Sequence, residues 1–163
     1  IDDACEALLA ASERAPTLQV HGVDREGAFV YSGAEARDWY GHRRGENYTA
    51  AGNLLAGESV VEETVGAYET GNRDRPLARR LVDALETGHE AGGDRREDLR
   101  VQSVAMRLRT TGDVERGMRE AYYDHARHLD LRVDASETPI ADLRGRLDLA
   151  VEGLEAARAR RQG

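Results

Sequence analysis

The chain has 163 residues, a formal net charge of −8 and a hydrophobic fraction of 40%, values that fit one soluble globular domain. No run approaches the roughly 20 apolar residues of a membrane-spanning helix, and an acidic chain without a basic stripe repels nucleic-acid phosphates. Cys5 is the single cysteine, which excludes an internal disulfide and a multi-cysteine zinc site. We therefore predict a cytoplasmic protein that binds neither membrane nor nucleic acid.

The charged residues have an unusual composition, because all 23 basic residues are arginine and 31 residues are acidic. Carboxylates retain water and cations at high ionic strength, where screening reduces the repulsion between them. The acidic, lysine-free composition therefore predicts a salt-adapted protein of the halophilic archaeal type. The alternative is a genome that prefers arginine codons.

The first third of the chain has one helical pattern followed by short β-rich runs. Residues 2–12 have the pattern of an amphipathic helix. Residues 18–31 contain two β-rich runs around a polar turn with a glycine, which predicts a β-hairpin. A loop that carries His42 is expected to lead to a further short strand at residues 48–53.

Two helices are predicted in the middle of the chain. Ser59 and Glu62 have the spacing of a capping box at the start of the first helix. The second helix is expected to begin at Pro76 and to end at Gly92-Gly93. Its predicted apolar stripe consists of Leu77, Leu81, Val82 and Leu85.

The last third alternates in the manner of strands at residues 101–108 and 129–134, and a helix then opens at Thr138-Pro139. The predicted buried side of this helix consists of Ile140, Leu143, Leu147, Val151 and Leu154. Helices and strands thus occur in separate runs, which predicts a layered α+β fold and not a βαβ repeat.

Motifs within residues 39–57, 81–96, 102–105 and 130–144 occur in an order that resembles one protein family. Over residues 18–150 the chain is similar to the bacterial and archaeal family known as domain of unknown function 1028, whose members are placed among the Ntn hydrolases. The resemblance implies a four-layer αββα fold. It also implies hydrolysis of a C–N bond in a small amide or peptide.

The resemblance has a consequence for the nucleophile. Ntn hydrolases attack with an N-terminal Thr, Ser or Cys whose α-amino group acts as base, and Ile1 cannot serve. If the domain is active, we therefore expect its nucleophile to be absent from this chain. We therefore expect an Ntn-like domain at residues 1–154 that lacks its N-terminal strands, followed by a solvated Arg-rich helical tail at residues 155–163. An upstream segment or another subunit of a homo-oligomer would complete the sheet.

Two candidate site residues lie in glycine-containing motifs. Asn53 could place an amide donor over a developing oxyanion, or Gly52-Asn53 could form an ordinary turn. The resemblance makes Asp94 a candidate for a buried polar network. Alternatively, Arg95 and Arg96 cap the C-terminus of the preceding helix, where a phosphate site is unfavourable.

Further candidates are charged or imidazole side chains. Asp130, Arg132 and Asp134 project from one face of their strand, where they could line a polar cleft or pair with each other. His42 is either a loop contact or a general base. His125 and His128 are three residues apart and could bind a divalent metal if their segment is helical, although solvated histidines are the alternative.

These observations lead to two hypotheses. The first is an Ntn-type amidohydrolase-like domain without a cofactor or metal. Its predicted catalytic residues are Asn53, Asp94, Gln102 and Asp130, and its predicted binding residues are His42, Arg96, Arg132 and Asp134. The alternative is a non-catalytic oligomeric scaffold or binding protein that retains the Ntn fold.

Overall fold

A computed structural model describes residues 1–96, 102–109 and 129–162 of the chain. It has a mixed α+β fold, as predicted from the sequence. Within these ranges, no helix has the length and apolar character that crossing a membrane requires. The elements in chain order are α1 (Asp2–Ala10), β1 (Gln19–Val23), β2 (Ala28–Ser32), β3 (Gly41–Arg44), β4 (Thr49–Gly52), α2 (Glu58–Thr70), α3 (Leu77–Glu90), β5 (Gln102–Leu108), β6 (Leu129–Ser136) and α4 (Pro139–Gln162).

The chain divides into two compact units. The first comprises Ile1–Asn72 and Asp83–Glu97, and the second comprises Arg73–Val82 and Asp98–Gly163. Helix α3 therefore contributes its first residues to the second unit and its remaining residues to the first. The predicted helix at residues 2–12 is confirmed as α1, which buries Cys5.

Two antiparallel hairpins form the β-structure of the first unit, and the predicted hairpin at residues 18–31 is confirmed. In β1–β2 the pair farthest from the turn is Gln19 opposite Ser32. In β3–β4 the corresponding pair is Gly41 opposite Gly52. The prediction that His42 lies in a loop is wrong, because residues 41–44 pair with residues 49–52 and form strand β3.

Helix α2 begins at Glu58, so the predicted capping box between Ser59 and Glu62 is wrong. Gly57 occupies the N-cap position and provides no side-chain cap. Ser59 Oγ donates to the carbonyl oxygen of Ala91 at 3.4 Å. Glu62 Oε1 accepts a hydrogen bond from Arg43 Nη2 at 2.7 Å. Ser59 and Glu62 therefore bind residues outside helix α2, although their spacing predicted that they would cap its N-terminus together.

An aromatic contact also joins helix α2 to the second hairpin. The rings of Tyr48 and Tyr68 meet edge to face, with centroids 5.2 Å apart. The Tyr48 hydroxyl donates to Glu69 Oε1 at 2.5 Å. Desolvation and the Glu69 carboxylate together raise the pKa of Tyr48 to about 12, so its hydroxyl stays protonated well above neutral pH.

The core of the second unit lies between the paired strands β5 and β6 and the helices. Alternate residues of β5 and β6 face this core, as the period-two pattern predicted. Helix α4 contributes its predicted buried side, although the Leu154 side chain lies outside the described part of the structure. The buried cluster consists of Ala78, Val82, Met106, Val133, Leu143 and Leu147.

The predicted apolar stripe of α3 is only partly correct. Val82 is buried and Leu81 packs against the core, but Leu77 and Leu85 are 45% and 39% exposed. Ala78 and Val82 are four residues apart and share the helix face that packs into the core. The buried face of α3 therefore includes Ala78, a small residue that a pattern of large apolar side chains does not identify.

Candidate functional site

The open ends of the two hairpins of the first unit meet at the side chain of Gln19. Its Nε2 atom has two hydrogens and lies within hydrogen-bond distance of three acceptors, which share them: Ser32 Oγ at 2.9 Å and the carbonyl oxygens of Gly52 at 2.9 Å and Gly41 at 3.2 Å. Carbonyl oxygens accept but cannot donate, so these contacts identify Nε2 as the amide nitrogen. One side chain therefore contacts residues at the ends of β2, β3 and β4.

Asn53 follows β4 directly and extends this arrangement. Its Nδ2 atom donates to Gln19 Oε1 at 2.9 Å, while the residue itself is exposed. Among the described residues Asn53 makes no other hydrogen bond, so the second hydrogen on Nδ2 is available to a ligand. One N–H of the Asn53 side-chain amide is thus fixed by Gln19, and the other is available to a ligand.

Leu54 has a left-handed backbone conformation, with φ 56°, next to Asn53. For a residue with a Cβ this conformation costs about 1–2 kcal/mol. Hydrogen bonds on both sides maintain it. The Leu54 amide donates to the Arg37 carbonyl at 3.2 Å, and the Arg95 amide donates to the Leu54 carbonyl at 2.9 Å. The surrounding structure therefore holds the backbone that orients Asn53.

His42 joins the same cluster from strand β3. Its Nδ1 atom lies 2.9 Å from Ser32 Oγ, and both residues are half-buried. Gln19 Nε2 only donates to Ser32, so the Ser32 hydroxyl hydrogen remains free and can be donated to His42 Nδ1 in the tautomer whose proton is on Nε2. The four residues Gln19, Ser32, His42 and Asn53 are called the hairpin-end network below.

Asp94 lies beside the segment that carries Asn53. It forms an isolated antiparallel bridge with Leu55, and the Ala56 amide donates to the Gly93 carbonyl at 3.0 Å. The Arg96 guanidinium binds both carboxylate oxygens of Asp94 and, by its hydrogen bonds, lowers the pKa of that carboxyl. Asp94 and Arg96 therefore form an ion pair in the segment that borders Asn53.

The other predicted site residues belong to the second unit. Asp130 accepts from Arg107 Nε at 3.0 Å across the β5–β6 pair, and these hydrogen bonds lower the pKa of its carboxyl. Arg132 Nε donates to Asp134 Oδ1 at 2.7 Å on the same strand. These charged residues are exposed, whereas Gln102 is half-buried opposite Ser136.

The structure thus connects His42 and Asn53 through Gln19 and Ser32, which were not among the predicted site residues. A signal was present for Gln19, which lies in the predicted hairpin, whereas Ser32 lies one residue beyond the predicted end and is reached only when the pairing is extended past Tyr31. Their partners in the second hairpin could not be read from that local pattern.

A metal centre has no support in the described ranges. Residues 1–96, 102–109 and 129–162 contain no group of three or more His, Cys, Asp or Glu side chains arranged to hold a metal ion. The predicted pair of His125 and His128 lies outside the described residues.

Comparison with known proteins places this α+β chain in a family. The chain belongs to the family of unknown function DUF1028, whose sequence model matches residues 1–143. A crystal structure of a family member from Silicibacter pomeroyi is similar, with a TM-score of 0.70 and 24% sequence identity. The similarity covers 91% of this chain and 57% of that chain, and it demonstrates a shared fold. No curated protein matches the chain.

Proposed function

We propose that this chain carries part of the active site of an amide hydrolase with an Ntn-type αββα fold, acting on a small amide or peptide. The observation that supports the proposal is the Asn53 side-chain amide. It is oriented by Gln19 at 2.9 Å and lies next to the strained backbone of Leu54. Strained backbone that its surroundings hold in place occurs preferentially at functional sites.

In the proposed reaction, Asn53 stabilises the negative charge that develops on the carbonyl oxygen of the scissile amide. An oxyanion donor must be oriented before the reaction, because reorientation during the reaction would cost free energy. The hydrogen bond to Gln19 fixes the Asn53 amide and leaves one N–H for the oxyanion. Asp94 and Arg96, together with Arg95, support the segment that carries this donor.

The first experiment measures hydrolysis of a panel of small p-nitroanilides and primary amides by wild type and by Asn53→Ala. We expect kcat to fall on the order of a hundredfold with KM little changed, because an oxyanion donor acts mainly in the transition state. Asn47→Ala removes an exposed asparagine at the opposite end of the β3–β4 hairpin and should retain the wild-type rate. Equal rates in both variants, or no hydrolysis across the panel, would contradict the proposal.

The alternative function is a non-catalytic scaffold or binding protein that retains the fold and works as a homo-oligomer. It is supported by the second unit, where Asp130 and Asp134 are ion-paired on an exposed face. Such pairs are ordinary features of a solvated strand and require no substrate. On this alternative, Gln102, Asp130, Arg132 and Asp134 have structural roles, and sedimentation velocity would detect the oligomer.

We also propose salt adaptation, which the net charge of −8 and the absence of lysine support. A cytoplasmic location accords with the lone, buried Cys5. Thermal unfolding in 2 M KCl should occur several degrees above the value in 0.1 M KCl, a gain of about 1 kcal/mol, because salt screens repulsion between carboxylates. An unfolding temperature that is unchanged or lower in 2 M KCl would refute salt adaptation.

A further inference from the structure

We propose that Ser32 is the nucleophile and His42 the general base of the amide hydrolysis proposed above, an inference that rests on that function. The reaction requires a nucleophile, and a serine hydroxyl becomes one when an adjacent base takes up its proton. The hairpin-end network contains a hydroxyl next to an imidazole, and Gln19 connects that hydroxyl with the proposed oxyanion donor. None of the motifs that indicate the family singled out Ser32.

The geometry of the pair is that of a serine activated by a base. Ser32 Oγ and His42 Nδ1 are 2.9 Å apart, within the hydrogen-bond distance at which such pairs operate. Ser32 lies at the end of β2 and His42 in β3, so neighbouring strands hold both partners. Each residue is half-buried, which limits solvation of the base while leaving access for a small molecule.

Gln19 assists the proposed proton transfer. Its amide nitrogen donates to Ser32 Oγ at 2.9 Å and leaves the hydroxyl hydrogen free, so Ser32 can donate it to His42 Nδ1 in the tautomer that carries its proton on Nε2. The same N–H stabilises the negative charge that develops on Oγ as the proton leaves. The opposite end of the Gln19 amide binds Asn53, so a single side chain separates the nucleophile from the oxyanion donor.

A second hydroxyl–imidazole pair offers an internal comparison. Thr49 Oγ1 and His21 Nδ1 are 2.8 Å apart in the same region between the hairpins. Among the described residues, no side-chain amide donates to the Thr49 hydroxyl. If hydroxyl–imidazole contact alone produced reactivity, both pairs would react; if the amides are required, only Ser32 would.

The proposed reaction balances without a cofactor. Ser32 Oγ attacks the carbonyl carbon of the amide, and its proton passes to His42 Nδ1 while Asn53 binds the oxyanion. The C–N bond then breaks, and His42 gives the proton to the departing amine nitrogen. A water molecule attacks the resulting ester, its proton passes through His42 to Ser32 Oγ, and the carboxylic acid leaves.

The test uses diisopropyl fluorophosphate, which forms a stable adduct with activated serines, followed by peptide mass mapping. We expect one adduct, on Ser32, and none on Thr49. His42→Gln keeps a hydrogen-bonding side chain but removes the base, and should slow labelling on the order of a hundredfold. His21→Gln makes the same change in the comparison pair and should label at the wild-type rate.

The outcomes separate this inference from the function on which it rests. An unlabelled Ser32 in folded protein, or equal labelling rates in the two glutamine variants, overturns the Ser32 assignment. Amide hydrolysis that persists in Ser32→Ala and still depends on Asn53 overturns it too, but leaves the proposed function in place. Hydrolysis that is insensitive to Asn53 overturns the proposed function. If Ser32→Ala does not fold, Ser32→Cys should react with iodoacetamide at a rate that falls when His42 is replaced by Gln.

Discussion

The variant Leu143→Ala is expected to lower the free energy of unfolding by about 2–5 kcal/mol. Leu143 is 0% exposed and lies at the centre of the core that α4 forms with β5 and β6. The substitution removes buried apolar atoms and leaves a cavity that the surrounding residues fill only in part. Urea denaturation followed by circular dichroism measures the loss, which belongs to the transition of the second unit.

Leu149→Ala is the matched control, since it makes the same chemical change on the same helix. Leu149 is 70% exposed, so its replacement should alter the free energy of unfolding by no more than about 0.5 kcal/mol. Similar losses in both variants would mean that α4 presents a different face to the core from the one described.

The variant Gly33→Ala is expected to lower the free energy of unfolding by about 3 kcal/mol or more. A Cβ at residue 33 would lie 2.2 Å from the carbonyl oxygen of Pro16 and 2.5 Å from that of Ala15. Both atoms belong to the backbone, so the chain itself would have to move. Because Gly33 directly follows Ser32, we expect the displacement to reduce amide hydrolysis as well.

Gly66→Ala tests whether this loss comes from the collision and not from replacing a glycine. A Cβ at Gly66 meets nothing within 4 Å, and the residue lies inside helix α2. Alanine favours the helix over glycine by up to about 1 kcal/mol, so this variant should be more stable than wild type. Thermal unfolding of both variants gives the comparison, and a stable Gly33→Ala would refute the close approach.

Much of the secondary structure was predictable because its determinants are local. Alternation at residues 129–133 identified β6, and the spacing of Leu143 and Leu147 identified the buried face of α4. The polar turn at residues 24–27 identified the first hairpin. Each pattern arises from the two- or 3.6-residue period of one element and needs no knowledge of its neighbours.

Predictions failed where tertiary packing overrode a local sequence pattern. Ser59 and Glu62 have capping-box spacing, yet they bind Ala91 and Arg43 across the first unit. Leu77 and Leu85 fit the apolar period of α3 but remain exposed, because the helix packs through Ala78 and Val82 instead. Local spacing shows which contacts are possible, and packing decides which of them form.

In the candidate site, too, some residues were predictable from local patterns and others depend on tertiary packing. His42 and Asn53 were selected from the sequence, but the residues that connect them, Gln19 and Ser32, were not. Their connection requires that the open ends of two hairpins meet, which is a property of how the hairpins pack. The left-handed conformation of Leu54 is likewise imposed from outside, through Arg37 and Arg95.

The sequence by itself determined the acidic, lysine-free character, the α+β class and the membership of a family whose model matches residues 1–143. Composition is a sum over residues, and the spacing of apolar residues is a property of a single helix or strand. Neither depends on tertiary structure. Tertiary structure alone decided that Gln19 connects Ser32 with Asn53, and that Asp130 pairs with Arg107. Such contacts join residues that are 13 to 34 positions apart, and only the packed chain brings them within hydrogen-bonding distance.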